Sequence, residues 1–245
     1  MNGAVQAERG CGFIMKRNEE KFWKRFSDIY GRIVNPRRGI IPPPKIYHDM
    51  IVGVIAALEA KDHPTASHSL RVSDMTEQIC RILGLPSVQT ELIHMAAHVH
   101  DIGKIGVPDH ILTKPGRLTA EEWDCVKQHP RIGAEILKKF DGLSEVAEII
   151  LHHHERWDGK GYPDGLKGEG IPLGSRIIAV CDSIDAMMSC RPYRKICSPA
   201  ECMDEIKLNS GIMFDPAVVR VLLQNWDAVV TNILFNRFEN DTIMR

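Results

Sequence analysis

From Lys45 onward, apolar residues recur at the three- and four-residue intervals of amphipathic helices. Ile51, Val54, Ile55 and Leu58 form one series. Val72, Met75, Ile79, Ile82 and Leu83 form a second, followed by Gly84 where a helix C-terminus favours glycine. Thr119-Ala120-Glu121-Glu122 matches a capping box and predicts the next helix start. Ile132, Ile136, Leu137 and Phe140 predict a further helix, and Val146, Ile149 and Ile150 one that continues into His153 and His154. Residues 173–189 and 199–209 read as helical, and Asp215 before Pro216 supplies a cap and a first-turn proline for the last helix. No alternating strand pattern interrupts this series, so the expected fold class is all-α. One segment breaks the helical pattern: between Trp157 and Pro172, Gly159, Gly161, Gly165, Gly168 and Gly170 preclude a regular helix. A glycine-rich loop of that length is expected to carry function or to lack order.

Residues 1–44 differ from the rest of the chain. Lys16 to Tyr30 could make one polar helix with Phe22, Trp23, Phe26, Ile29 and Tyr30 along one edge, and Pro42-Pro43-Pro44 makes a stiff spacer. The expected organisation is therefore an N-terminal appendage over 1–44 and one domain over 45–245. At 245 residues the chain can bury a substantial core. A net charge of −1 gives no global field for long nucleic acids, although a local positive cluster could still hold a small anion. No run of eighteen apolar residues or secretory leader is present, and the seven cysteines include no Cys-x-x-Cys pair. The expected setting is a reducing cytoplasm without membrane or disulfides.

The eleven histidines are more informative. His100-Asp101-Ile102-Gly103-Lys104 closes the apolar stretch Leu92 to Ala97 and offers an imidazole beside a carboxylate whose two oxygens can bridge two cations. His153-His154 follows a core-facing stripe, with His152 pointing elsewhere as a bystander. Asp182 stands in the otherwise apolar run Arg176 to Cys181, where it either binds metal or partners an arginine. His68 and His129, at helix junctions, complete a nitrogen and oxygen donor set without thiolates. Such a set disfavours structural zinc and suits iron or manganese with open positions for water and substrate.

The blocks His68-Ser69-Leu70-Arg71-Val72, His100 to Pro108, Lys114 to Thr119, His129-Pro130, His153 to Pro163 and Asp182 to Met187, leading to Arg191-Pro192-Tyr193-Arg194, resemble the HD-GYP family, a branch of the HD superfamily of metal-dependent phosphodiesterases. The resemblance covers about Ile51 to Asp215. It implies an HD-type helical bundle with a GYP loop and hydrolysis of cyclic di-GMP to linear pGpG, in some members on to GMP. Family ligand positions fall on His68, His100, Asp101, His129, His153, His154 and Asp182, with Asp101 bridging. The family lysine falls on Lys104, phosphate-contacting positions on Arg191 and Arg194, and the triplet on Gly161, Tyr162 and Pro163. Some members place a third-metal glutamate four residues before the first histidine. Here that residue is Pro64, so two metals are expected, with His63 pointing elsewhere. His98 stands where the family shows an apolar residue.

The expected mechanism is attack of a metal-bridging hydroxide on a phosphodiester, the cations offsetting charge on the phosphate oxygens. Lys104 acts as a fixed charge beside the phosphate, the alternative being a helix-terminal lysine facing the dipole. Arg191 and Arg194 hold phosphate through directional donors or form a surface salt-bridge pair. Tyr162 stacks on a guanine or closes the loop, and Gly159 and Gly161 permit backbone conformations closed to other residues. Another substrate such as cyclic GMP-AMP, and a non-catalytic cyclic di-GMP sensor or scaffold, are the alternative functions. The expected partners are a cyclic dinucleotide and, for regulation, a second copy or a signalling protein.

Overall fold

The computed structural model describes residues 68–140, 142–189 and 197–231. The proposed 1–44 appendage, its boundary at 45, the Ile51 series, His63, Pro64, Arg191 and Arg194 lie outside the described residues.

The described residues form helices α1 (His68–Ile82), α2 (Ser87–Val99), the short α3 (Asp109–Leu112), α4 (Ala120–Val126), α5 (His129–Leu137), α6 (Ser144–Leu151), α7 (Leu173–Met188), α8 (Pro199–Leu208) and α9 (Pro216–Gln224), with 3-10 turns at Ile102–Gly106 and Gly168–Gly170. Among them is no strand, only an isolated bridge between Ser210 and Phe214. None of these helices is long and apolar enough to cross a membrane.

Helices α1, α2 and α7 make the centre: α1 packs on both others, and α6 packs between α2 and α5. The period-3.6 stripes explain this. Val72, Met75 and Ile79 of α1, Ile93, Ala96 and Ala97 of α2, and Ile177, Val180, Cys181 and Ile184 of α7 are fully or nearly fully buried. Each buried Ile or Met contributes about 1.5–3 kcal/mol over exposure, the term that assembles these short helices. Close approach is possible because Gly174 of α7 has no Cβ; one there would stand 3.0 Å from both Ile149 and Ile93.

Helix boundaries follow the caps. Thr119 and Glu122 bond reciprocally, as do Ser198 and Glu201, and Asp215 accepts from the Ala217 N–H. Gly84, at φ +71°, turns the chain after α1. Three expectations fail. Ile82 and Phe140 are 40% and 47% exposed, so the apolar series overran the core face. Helix α6 ends at Leu151, so His153 and His154 lie in the turn beyond it. Gly161 does not have positive φ; it is needed because an added Cβ would lie 2.3–2.6 Å from the backbone of Glu155 and Arg156.

Candidate metal centre

Two groups of possible ligands face one another at the meeting point of α1, the end of α2, α5, the turn after α6, and α7. They are His68, His100 and Asp101, and His129, His153 and His154; within each, the ligand atoms lie within 4.8 Å of one another. Asp101 joins them. Its Oδ2 is 3.4 Å from His100 Nε2 and 3.9 Å from His68 Nε2, and its Oδ1 is 3.3 Å from His129 Nε2. Asp182 enters from α7, with Oδ1 3.4 Å from His68 Nε2. The seven expected ligands are thus brought together from five segments of chain. Arg71, an arginine of the kind that the alternative reading gave Asp182, pairs with Asp185.

The imidazoles are pre-oriented. The Nδ1–H of His100 donates to the Ala97 carbonyl at 2.8 Å, that of His129 to Val126 at 2.8 Å, and that of His153 to Ile150 at 2.6 Å. Each bond reaches back three residues and leaves a Nε2 lone pair facing the pocket. His68 uses a carboxylate: its Nδ1–H donates to Asp185 Oδ2 at 2.7 Å. Asp185, fully buried, also pairs with the Arg71 guanidinium, whose NH2 donates at 3.0 Å, and accepts from the Ser189 hydroxyl at 3.2 Å. The pairing joins the face of α1 that carries positions 68 and 71 to the face of α7 that carries 182 and 185.

The chemistry of these atoms suits a cation. His129 Nε2 and His153 Nε2 stand 3.3 Å apart, buried, and each carries a lone pair because its Nδ1 holds the proton. A shared proton is disfavoured: burial lowers the pKa of both, with neighbouring imidazoles adding to the effect at His153. Burial and the His129 charge likewise bring His154 down to about 4. His100 Nε2 is buried and faces Asp101 Oδ2 at 3.4 Å. Burial pushes its pKa down, but the Asp101 and Asp182 charges outweigh that and lift it to about 9. Burial raises Asp101, yet Lys104 and the imidazoles hold it well below the usual carboxylate range. The neutral imidazoles of His129, His153 and His154 and the ionised Asp101 fit divalent cations, which would take the place of the proton that Asp101 and Asp182 otherwise favour on His100. Lys104 Nζ sits 2.8 Å from Asp101 Oδ2, at the edge of this set.

The glycine-rich loop forms one wall. Tyr162 packs on the His154 ring at 4.8 Å and 31°, so the loop closes against the imidazoles. Glu155, which carried no role in the sequence pattern, is 3% exposed, and its Oε1 accepts from the N–H groups of Asp164 (2.7 Å) and Gly165 (3.0 Å). His152 is no ligand, as expected, because both its nitrogens face oxygens: the Glu148 carbonyl and Asp164 Oδ2, each at 3.0 Å. It fastens the loop, together with Arg131, which also pairs with Asp164. Trp157 and Asp158 donate to the Met213 and Ile212 carbonyls, securing the loop's other end. His98 is joined to buried His94, their Nε2 atoms 3.2 Å apart, and belongs to neither ligand group.

Comparison with known proteins agrees with this geometry. The HD domain family model matches residues 54–218. A cyclic di-GMP phosphodiesterase of Thermotoga maritima is 42% identical over 232 residues, which is 94% of this chain and 58% of that protein. A cyclic di-GMP phosphodiesterase response regulator of Xanthomonas campestris is 43% identical over 69% of this chain and 45% of its own. A 3'3'-cGAMP-specific phosphodiesterase of Vibrio cholerae is 36% identical over 74% of this chain and 35% of its own. The chain thus spans only part of the length of these relatives. Among solved structures, a cyclic GMP-AMP-specific phosphodiesterase of V. cholerae superposes with a TM-score of 0.57 at 20% identity, covering 76% of this chain and 50% of that one. The HD domain of an L. monocytogenes phosphodiesterase gives 0.53 at 17% identity, covering 75% and 98%. Both share the helical fold. With the family model spanning most of the chain and the HD pair and GYP triplet in place, the chain belongs to the HD-GYP branch of the HD-domain family.

Proposed function

We propose that this chain is a metal-dependent phosphodiesterase that opens cyclic di-GMP to linear pGpG and, by a second cut, to GMP. The observation that carries this reading is the pair of buried Nε2 lone pairs on His129 and His153, 3.3 Å apart, beside a carboxylate that faces both histidine groups. His68, His100, Asp101, His129, His153, His154 and Asp182 would hold two divalent cations, iron or manganese, with Asp101 spanning both groups. Divalent cations there would acidify water and offset charge on the phosphate oxygens. The names of the relatives supply the substrate class.

The chain's own residues bind and orient. Asp185 fixes the tautomer of His68, and the backbone carbonyls of Ala97, Val126 and Ile150 fix those of His100, His129 and His153. Lys104 places a positive charge beside Asp101, where it can pair with a phosphate oxygen. Arg191 and Arg194 would grip phosphate, and Gly161 and Tyr162 shape the pocket wall. Residues 45–245 constitute the phosphodiesterase unit and 1–44 an appendage.

Cyclic GMP-AMP is the second reading, because relatives specific for it are 36–40% identical to this chain. The test is product chromatography after anaerobic incubation of the full chain with each dinucleotide and manganese or iron. Metal analysis should give about two ions per chain, and Asp101→Asn should lose both metal and turnover. Absence of any linear product, with metal bound, would refute the enzymatic reading; three ions per chain would refute the two-metal part.

A further inference from the structure

Helix α4 (Ala120–Val126) buries none of its residues. Its N-terminal end is held by the Thr119–Glu122 capping box and by the Lys114 ammonium, bonded to both Glu122 oxygens at 2.9 and 2.7 Å. Trp123 on this helix is 45% exposed. The part-open indole beside the candidate centre offers an amphipathic π-face on which a planar ligand can stack.

Its position supplies the ligand. The Trp123 ring meets Tyr162 edge to face, at 6.4 Å and 80°, and Tyr162 lies on the His154 ring. An aromatic run therefore leads from the imidazole shell outward, His154 to Tyr162 to Trp123. Tyr162 already has one face against His154, whereas Trp123 keeps nearly half its surface open. A phosphodiester held at the imidazole and carboxylate shell would carry its nucleobase one ribose away, on this side of the pocket.

We propose that Trp123 is the stacking platform for a nucleobase of the bound cyclic dinucleotide, an inference that rests on the phosphodiesterase reading above. Stacking uses the π-face common to all bases, so the platform contributes affinity without distinguishing guanine from adenine. It acts on binding, because the indole is separated from the reacting phosphate by Tyr162 and the sugar.

The test is steady-state kinetics of the manganese-loaded full chain with cyclic di-GMP and cyclic GMP-AMP. Trp123→Ala and Trp123→Leu should each raise KM about thirtyfold, the middle of the range for losing one stacked base, while kcat stays within about twofold. Trp123→Phe, which restores a π-face, should recover most of the loss. Because α4 buries nothing, circular dichroism and thermal midpoints should match the parent; the leucine variant covers any local unfolding caused by alanine. A KM unchanged in both truncations, or restored by leucine as well as by phenylalanine, overturns the platform while leaving the enzyme reading intact. If the unmodified chain turns over no cyclic dinucleotide, the enzyme reading fails and the platform fails with it.

Discussion

Replacing Asp185 by asparagine separates folding from metal retention in a way that the buried network makes quantitative. The carboxylate is fully buried and takes hydrogen bonds from His68, Arg71 and Ser189, while Arg71 is itself only 7% exposed. Burial raises the Asp185 pKa, and the His68 and Arg71 bonds outweigh it to hold the group at about 2 instead of 3.8. That difference corresponds to about 2 kcal/mol in favour of the folded state at neutral pH. Its sign follows from a depressed folded pKa: the contribution is present above pH 3.8 and is lost as pH falls through about 2. Asparagine removes this charge and leaves a guanidinium buried against an amide, for which about 3–5 kcal/mol is the ordinary cost. It also leaves the His68 Nδ1–H without its carboxylate, which should weaken metal binding by about 10–100-fold. Urea unfolding in chelator at pH 7 reads the first effect and manganese titration calorimetry the second. The double variant Arg71→Met, Asp185→Leu should regain much of the stability but none of the affinity, because an apolar pair repairs the charge imbalance and cannot orient His68. An Asp185→Asn protein that loses under about 1 kcal/mol and binds manganese as the parent does would refute the argument.

Gly103→Ala should destabilise the fold by at least about 2 kcal/mol and abolish metal retention, since its Cβ would stand 1.8 Å from the His129 carbonyl oxygen and 2.5 Å from the Gly133 nitrogen; unfolding curves and metal analysis check this. Gly161→Ala should spare metal content but raise KM, because a Cβ 2.3 Å from the Arg156 nitrogen pushes the loop off Glu155; an unaltered KM would mean that the loop does not shape the pocket. In chelator, thermal stability should fall as pH drops from 6.5 towards 4, because the unfolded chain protonates imidazoles that burial keeps neutral in the fold. His154 alone, at about 4, contributes about 3 kcal/mol to that loss, and a flat profile would contradict it.

What the sequence made legible was local. Caps at Thr119 and Asp215 act within three residues of themselves, and helix periodicity reports burial averaged over several turns. The seven candidate ligands stand in recognisable blocks, and the structure brings them together. The adjacent histidines were harder. Neighbours on a helix point about 100° apart, so a continued α6 could not aim both His153 and His154 into one pocket. Its end at Leu151 makes that possible. Asp185 and Arg71 lie 114 residues apart, and Glu155 looked like an ordinary charged loop residue. Partners that far apart follow from helix packing, which periodicity does not encode. Phe140 and Ile82 were misassigned for the converse reason, since apolar spacing at a helix end says nothing about whether a neighbour covers it.

The pocket is built by two fastening systems that share few atoms. The imidazoles of the candidate centre are set by backbone carbonyls three residues back, on α2, α4 and α6, and, for His68, by Asp185 on α7. The loop wall is set by Glu155, His152 and Arg131 acting on Asp164 and Gly165. The junctions are Tyr162 on His154 and the chain's own continuity from His152 to Glu155. Ligand positions must hold within tenths of an ångström for a cation, which buried helix ends supply; a wall that admits a bulky dinucleotide has to yield. Glu155 and His152 anchor the wall from the buried side, whereas Arg131 and Asp164 are exposed, so its outer edge can loosen without disturbing the donors behind it. Substitutions in the first system should therefore alter metal content and rate together, and those in the second should act on KM.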